Sequence, residues 1–82
     1  MGYEFWLSAE ASHALLGSER RIRLKMEQAL QQLSSTPFTT PDFQEKSPAG
    51  RTYDVKCFGD IIVTYWVDHA VKEVRIIRLE VA

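Results

Sequence analysis

The stretch YDVKCFGDIIVTYWVD, residues 53–68, constrains the fold more than any other part of the sequence. It contains two β-strand patterns that meet at Gly59-Asp60, and the second pattern is apolar on both faces. One face carries Ile61, Val63, Tyr65 and Val67, while the other carries Ile62, Thr64 and Trp66. Such a strand lies inside a sheet and needs cover on both sides. The domain's own helices can supply one cover, so we expect a partner to supply the other.

The length and composition indicate a single globular domain over residues 1–82. Hydrophobic residues make up 45% of the 82-residue chain, which argues against disorder. A chain this short has a thin core, so a partner would add stability. Cys57 is the single cysteine and cannot form an internal disulfide, which favours a reducing, cytoplasmic setting. No apolar run is long enough to span a membrane, and no signal-peptide pattern is present.

The N-terminal half has the pattern of a strand followed by two helices. Residues 3–7 alternate as a short strand, and Ser8 is suited to cap a helix over residues 9–16 that stops at Gly17. Ser18 is expected to cap the second helix. Apolar residues then recur at helical spacing, at Ile22, Met26, Ala29, Leu30 and Leu33.

The C-terminal half begins with an aperiodic stretch and continues with strands. Residues 34–50 contain all three prolines and are predicted to form a long loop, pinned to the body by Phe38 and Phe43. Strands are predicted over residues 52–58, 61–67 and 73–81, and their short connections favour an antiparallel meander. The predicted fold is therefore α+β, a small antiparallel sheet with an N-terminal helical hairpin on one face, in the order β-α-α-β-β-β.

The open side of this sheet is the predicted functional surface. Ile62, Thr64 and Trp66 are expected to line it as partner-binding residues, because Val63, Tyr65 and Val67 are assigned to the helices. An exposed apolar patch of this kind usually marks an interaction site. Tyr65 is a candidate base only if it faces outward, and its alternation with Ile61 and Val63 assigns it to the core.

Basic residues are the leading candidates for chemistry on that surface. The net charge of −1 gives no sign of strong nucleic-acid binding. Lys56 points to the open side if Val55 and Cys57 face the helices, with Cys57 then a buried, unreactive thiol. A regular strand directs only one of Arg75 and Arg78 to the open side.

The sequence pattern predicts neither a metal site nor a catalytic histidine. Cys57, His13 and His69 lack metal-ligand spacing, so no metal and no cofactor is predicted. Both histidines are expected on the solvated surface.

The whole chain resembles the RelE/ParE superfamily of type II toxin–antitoxin toxins. The likeness rests on the order and spacing of YEFWLS, ALQQL, YDVK, GDIIVTYWVD and VRIIRLEV, with Lys56 at the basic position of a family motif. It implies a bacterial toxin whose open face binds a cognate antitoxin, as a homodimer or a heterotetramer with it. In the ribonuclease branch that face also cleaves ribosome-bound mRNA.

The resemblance leaves two activities open. As an mRNA interferase, an RNA-binding endoribonuclease, the chain would hold the phosphate with Lys56, Arg51 and Arg78, while Arg75 pairs with the antitoxin or replaces Arg78. Two departures favour the alternative of a ParE-like inhibitor of DNA gyrase or a degenerate antitoxin-binding scaffold. Ile61-Ile62 stand where ribonuclease members carry an arginine after an aromatic residue, and Val81-Ala82 stand where they carry a His-Arg pair and a tyrosine.

Overall fold

A computed structural model describes residues 3–82 and shows two helices packed against one face of a five-stranded sheet. The α+β class predicted from the sequence is confirmed. In chain order the elements are β1 (Glu4–Leu7), α1 (Ala9–Gly17), α2 (Arg20–Ser35), β2 (Phe43–Lys46), β3 (Thr52–Phe58), β4 (Ile61–Asp68) and β5 (Glu73–Val81).

The sheet has the strand order β1-β5-β4-β3-β2, which places β4 at its centre. The meander β3-β4-β5 is antiparallel, as its short connections predicted. The structure adds a parallel pairing of β1 with β5, which joins the two ends of the described chain. The central place of β4 explains why both of its faces are apolar.

The long loop predicted over residues 34–50 contains a strand that sequence reasoning missed. Residues Phe43–Lys46 form β2, which pairs antiparallel with residues 52–55 of β3. A tight turn joins them, in which Gly50 has φ +88° and donates its N–H to the Ser47 carbonyl at 2.9 Å. Only a residue without Cβ adopts this backbone readily. Four residues between two prolines were too short a run to show a strand period.

The hydrophobic core lies between the two helices and strands β4 and β5. The apolar stripe of α2 packs there as its spacing predicted, and the strands contribute Ile61, Val63, Tyr65, Val74, Ile76 and Leu79. The helices lie over β1, β5 and β4, and so leave the same side of β3 and β2 without a helix. Within residues 3–82 no helix is long and apolar enough to cross a membrane.

The two predicted helix caps have different outcomes. Ser8 caps α1, since its Oγ accepts the Ala11 N–H at 3.0 Å. Ser18 does not cap α2, because its Oγ donates to the Ala14 carbonyl at 2.6 Å and so completes the end of α1. Glu19 occupies the first cap position of α2 and makes no side-chain cap bond there.

The two loop phenylalanines do not reach the core as anchors. Phe43 lies on β2 and is 55% exposed, and Phe38 is 76% exposed. Phe38 stacks on His69 with the ring centroids 5.0 Å apart, and Tyr3 Oη lies 2.9 Å from His69 Nδ1. His69 therefore belongs to an aromatic cluster at the surface, where sequence reasoning expected only solvent.

Candidate functional site

The side of the sheet opposite the helices is the candidate site, and we call it the open face. Cross-strand partners point to the same side, so the register assigns each strand residue to one face. The core residues of β4 face the helices, as predicted. On the open face lie the apolar, hydroxyl and basic residues Trp6, Val55, Ile62, Thr64, Trp66, Arg75 and Arg78, together with Glu4, Glu45, Cys57, Asp68, Glu73 and Glu80.

A row of alternating aromatic and cationic side chains crosses the open face. Trp6 on β1 and Trp66 on β4 are both cross-strand partners of Arg75 on β5. The Arg75 guanidinium lies 4.8 Å from the Trp6 ring centroid and 5.9 Å from that of Trp66. Arg51, which directly precedes β3, lies 4.2 Å from the Trp66 centroid. Both arginines are within the range of a cation–π contact with Trp66.

A bulge in β5 brings both of its arginines to the open face. Thr64 pairs with Arg78 but the next residue, Tyr65, pairs with Ile76, so Ile77 is an extra residue in β5. An inserted residue reverses the alternation of the strand beyond it. The sequence-based expectation that only one of Arg75 and Arg78 points this way holds for a regular strand and is wrong for this one.

Arg78 forms an ion pair that spans the sheet. Its Nη2 atom donates to Glu45 of β2 at 2.7 and 3.0 Å, and its Nε donates to Glu80 Oε1 at 3.0 Å. The hydrogen bond to Glu80, together with the one to Glu45, raises the pKa of Arg78 above its ordinary value, although burial opposes the rise. The guanidinium therefore stays charged and is held by two carboxylates.

The Arg78–Glu45 pair covers the middle of the open face. Thr64 is 0% exposed and Val55 is 2% exposed, although neither belongs to the core beneath the helices. Thr64 is the cross-strand partner of both Arg78 and Val55, and β4 and β3 lie between the strands that carry Arg78 and Glu45. We attribute the burial of Thr64 to the ion pair that passes over it, and that of Val55 to the ion pair together with Phe43, its cross-strand partner on β2.

Lys56 does not lie on the open face, which corrects the prediction for this residue. It pairs with Val63 and so faces the helix side, where its Nζ donates to the Thr40 carbonyl at 3.1 Å. The prediction assumed that Val55 is buried beneath helices, whereas Val55 is buried on the opposite side. Lys56 instead lines a groove of about 610 Å³ between α2 and β3, together with Lys25, Gln28, Gln32 and Asp60.

Cys57 is also corrected by the structure. It pairs with Ile62 on the open side and is exposed, not buried. Its backbone N–H donates to Asp42 Oδ2 at 2.7 Å. The alternation of residues 53, 55 and 57 was correctly recognised, but that face of β3 is the open one.

The chemistry available on the open face consists of arginines and carboxylates. Tyr65 lies in the core, as predicted, and burial raises its pKa to about 12, with the negative charges of Asp54 and Asp42 adding to the effect. It is therefore unsuited to act as a base. Glu45 is the nearest carboxylate to Arg78, and it was missed because its strand was missed. Among residues 3–82 no group of three or more His, Cys, Asp or Glu side chains could hold a metal ion.

Comparisons with known proteins support the fold. No protein-family model matches the chain, and no curated protein matches its sequence. The toxin–antitoxin complex RelBE2 from Mycobacterium tuberculosis contains a chain that matches with a TM-score of 0.79 at 16% identity, over 100% of both chains. In the archaeal RelE–RelB complex from Pyrococcus horikoshii the TM-score is 0.73 at 17% identity, over 99% of this chain and 96% of that one.

A third match extends the same result. In the intact RelBE toxin–antitoxin complex from E. coli, a chain matches with a TM-score of 0.63 at 16% identity, over 98% of this chain and 96% of that one. At these identities the likeness shows the fold, which is that of RelE. The resemblance drawn from the sequence is confirmed at this level.

Proposed function

We propose that the chain is the toxin component of a type II toxin–antitoxin system and that a cognate antitoxin binds its open face. The carrying observation is that no helix of residues 3–82 covers this face, on which Trp66 of the central strand β4 and Trp6 of the edge strand β1 are partly exposed. Exposed aromatic surface on a small domain usually marks an interaction site. Structures of this fold from toxin–antitoxin complexes support the assignment.

The proposed antitoxin contacts are the predicted residues with one change of role. Trp66 and Arg75 lie in the aromatic–cationic row, and Ile62 lies on the same strand face, half-buried. Thr64 is fully buried and forms the floor below the Arg78–Glu45 pair, so it acts through packing. Buried tryptophans and arginines commonly dominate the energy of such interfaces.

The proposed activity is inhibition of translation by cleavage of ribosome-associated mRNA in the cytoplasm. Cleavage by the RNA's own 2′-hydroxyl needs a base for its proton, cations for the pentacoordinate phosphate, and a proton for the leaving 5′-oxygen, which the protonated base or water would return. Arg51, Arg75 and Arg78 share the open face, and Glu45 is a carboxylate on that face that would accept the proton. The contact between Glu45 and Arg78 at 2.7 Å would bring base and cation to one phosphate.

A non-enzymatic role is the competing proposal, and a specific observation favours it. The guanidinium groups of Arg75 and Arg78 each contact a carboxylate, Glu73 at 2.9 Å and Glu45 at 2.7 Å. An arginine paired in this way must exchange its carboxylate for a phosphate before it can assist RNA cleavage. A ParE-like action on DNA gyrase and a scaffold that only pairs with an antitoxin require no such exchange.

One set of measurements separates these proposals. The chain is expressed in a bacterial host and added to a translating extract, alongside Arg51→Ala and Lys56→Ala. We expect mRNA cleavage by the wild type, a loss of about 10²–10³ in rate for Arg51→Ala, and little change for Lys56→Ala, since Lys56 lies off the open face. Growth arrest with intact mRNA and accumulating gyrase-linked DNA breaks would transfer the function to the gyrase alternative. If neither mRNA cleavage nor DNA breakage is observed, the remaining proposal is a scaffold that only binds an antitoxin.

A further inference from the structure

Three carboxylates form a row at one end of the open face. Glu4 of β1 and Asp68 of β4 are both cross-strand partners of Glu73 on β5. Like charges in directly opposed positions repel one another, so this row destabilises the isolated sheet. Glu73 contacts Arg75 at 2.9 Å, whereas Glu4 and Asp68 have no salt bridge within the part of the chain that the structure describes.

The carboxylate row lies directly beside the two tryptophans. Trp6, Arg75 and Trp66 occupy the positions two residues along β1, β5 and β4 from the carboxylates, on the same face. Two residues along a strand correspond to about 7 Å. A ligand that contacts both the carboxylates and the tryptophans therefore carries a cationic group and an apolar group about 7 Å apart.

The charge of the whole open face favours a cationic ligand over free RNA, so cleavage of mRNA there would depend on the ribosome to present the strand. Its strands and the adjacent Arg51 present three arginines against five carboxylates, namely Glu4, Glu45, Asp68, Glu73 and Glu80. Proteins that bind nucleic acid through phosphates show the opposite excess. The Trp66 ring also has Arg51 and Arg75 near it, which limits the area left for stacking on a base.

From this arrangement we propose that the open face binds a protein segment bearing lysine or arginine next to apolar side chains. The cation sits against Glu4, Glu73 and Asp68, and the apolar side chains cover Trp6 and Trp66. If the chain is the proposed toxin, on which this identification of the partner rests, the segment belongs to its antitoxin.

Intrinsic fluorescence tests the proposal, because the chain has two tryptophans and both flank Arg75 on the open face. The probes are an eight-residue peptide of alternating lysine and leucine, the matching glutamate–leucine peptide and a single-stranded twelve-nucleotide RNA. We expect the lysine–leucine peptide to change the emission and to bind at least tenfold more tightly than either of the others, with an affinity that weakens with salt. Tighter binding of the RNA or the glutamate peptide would overturn the proposal, as would no binding by any probe.

A charge-removing variant supplies the second measurement. Glu4→Gln with Asp68→Asn keeps the shape of the row and removes two charges. The amide introduced at position 68 retains an oxygen in place of Asp68 Oδ1, which accepts the Ala70 N–H at 3.1 Å. We expect at least tenfold weaker binding of the lysine peptide together with an unchanged or higher melting temperature, because repulsion is relieved. The matched control, Glu10→Gln with Glu27→Gln, removes two charges from the helices and should leave binding unaltered.

The outcomes of this pair of variants are decisive and independent of the toxin assignment. Equal peptide affinity in the double variant and the wild type would contradict the proposal, whatever the melting temperature. If peptide binding behaves as expected while the chain neither arrests growth nor pairs with an antitoxin, the proposed function fails and the cationic-segment site stands. If the chain is a toxin whose open face ignores the lysine peptide, only the present inference fails.

Discussion

The Tyr65 hydroxyl illustrates how one buried atom affects stability. The residue is 1% exposed, and its hydroxyl has no hydrogen-bond partner within residues 3–82. Burial raises its pKa to about 12, against about 10 in an unfolded chain. The folded state therefore holds this proton more tightly than the unfolded state does.

We predict that Tyr65 makes the protein sensitive to alkali. Its contribution is complete below pH 10 and is lost as the pH rises from 10 towards 12, with a cost of about 1 kcal/mol at pH 11. In Tyr65→Phe the hydroxyl is absent. The free energy of unfolding, measured with urea at pH 7 and pH 11, should therefore fall less between these pH values in the variant than in the wild type. At pH 7 the variant should be at least as stable, because an unpaired buried hydroxyl is removed. Equal losses in the two proteins would contradict this role.

Trp66 is the residue on which partner binding should depend most. It is half-buried on the open face and contacts Arg51 and Arg75, so its truncation also removes the support of two cations. We predict that Trp66→Ala weakens the complex with the proposed antitoxin more than tenfold, about 2 kcal/mol, as measured by calorimetry. The free protein should keep its circular dichroism spectrum. Phe38→Ala, an exposed aromatic residue that contacts Tyr3 and His69 and neither tryptophan, is the control that should bind normally.

At the scale of the elements, the bulge in β5 connects the sheet to the start of α1. Ser8 donates its hydroxyl to the carbonyl of Ile77, the extra residue, at 2.7 Å, and its N–H donates to the Ile76 carbonyl at 2.9 Å. The same oxygen accepts the N–H of Ala11. One side chain therefore fixes a helix start and the strand irregularity that sends both arginines outward.

We predict that Ser8→Ala destabilises the protein by about 2 kcal/mol, because a helix cap and a hydrogen bond to the bulge are lost together. Ser8→Thr retains a hydroxyl and should cost well under half as much. Denaturant unfolding measures both values. A cost for Ser8→Ala below that of Ser8→Thr would mean that the hydroxyl does not support this region.

The elements also show where sequence reasoning ends. The central place of β4 followed from its two apolar faces, and the core stripe of α2 followed from its helical spacing. The facing of β3 did not follow, because Val55 is buried on the side away from the helices, and alternation alone does not say which face is covered. The bulge at Ile77 could not be predicted either, because it is defined by the way β5 pairs with β4.

At the scale of the whole molecule, the Arg78–Glu45 pair joins two strands that have two others between them. Its side chains are about one-third exposed, so solvent screens the pair and its own energy is modest. Its larger effect is the cover that it gives to Thr64 and Val55.

A double-mutant cycle with Arg78→Gln and Glu45→Gln, which removes one charge in each variant, should therefore give a coupling energy of about 1 kcal/mol or less. Arg78→Ala should cost more than this coupling, because truncation also exposes Val55 and removes the packing of the long side chain. Urea unfolding of the wild type, the variants of the cycle and Arg78→Ala measures both quantities. A coupling energy that equals the full cost of Arg78→Ala would show that charge, and not cover, is the main contribution.

The parallel pairing of β1 with β5 has a consequence for synthesis. Glu4 and Trp6 reach their partners Glu73 and Arg75 only after nearly seventy further residues have been translated. Contacts between such distant residues form late. A nascent chain can build its helices early, yet neither the carboxylate row nor the tryptophan row exists until β5 has left the exit tunnel. The two rows of the open face therefore assemble only after β5 has been synthesised and has paired with β1, however early the helices form.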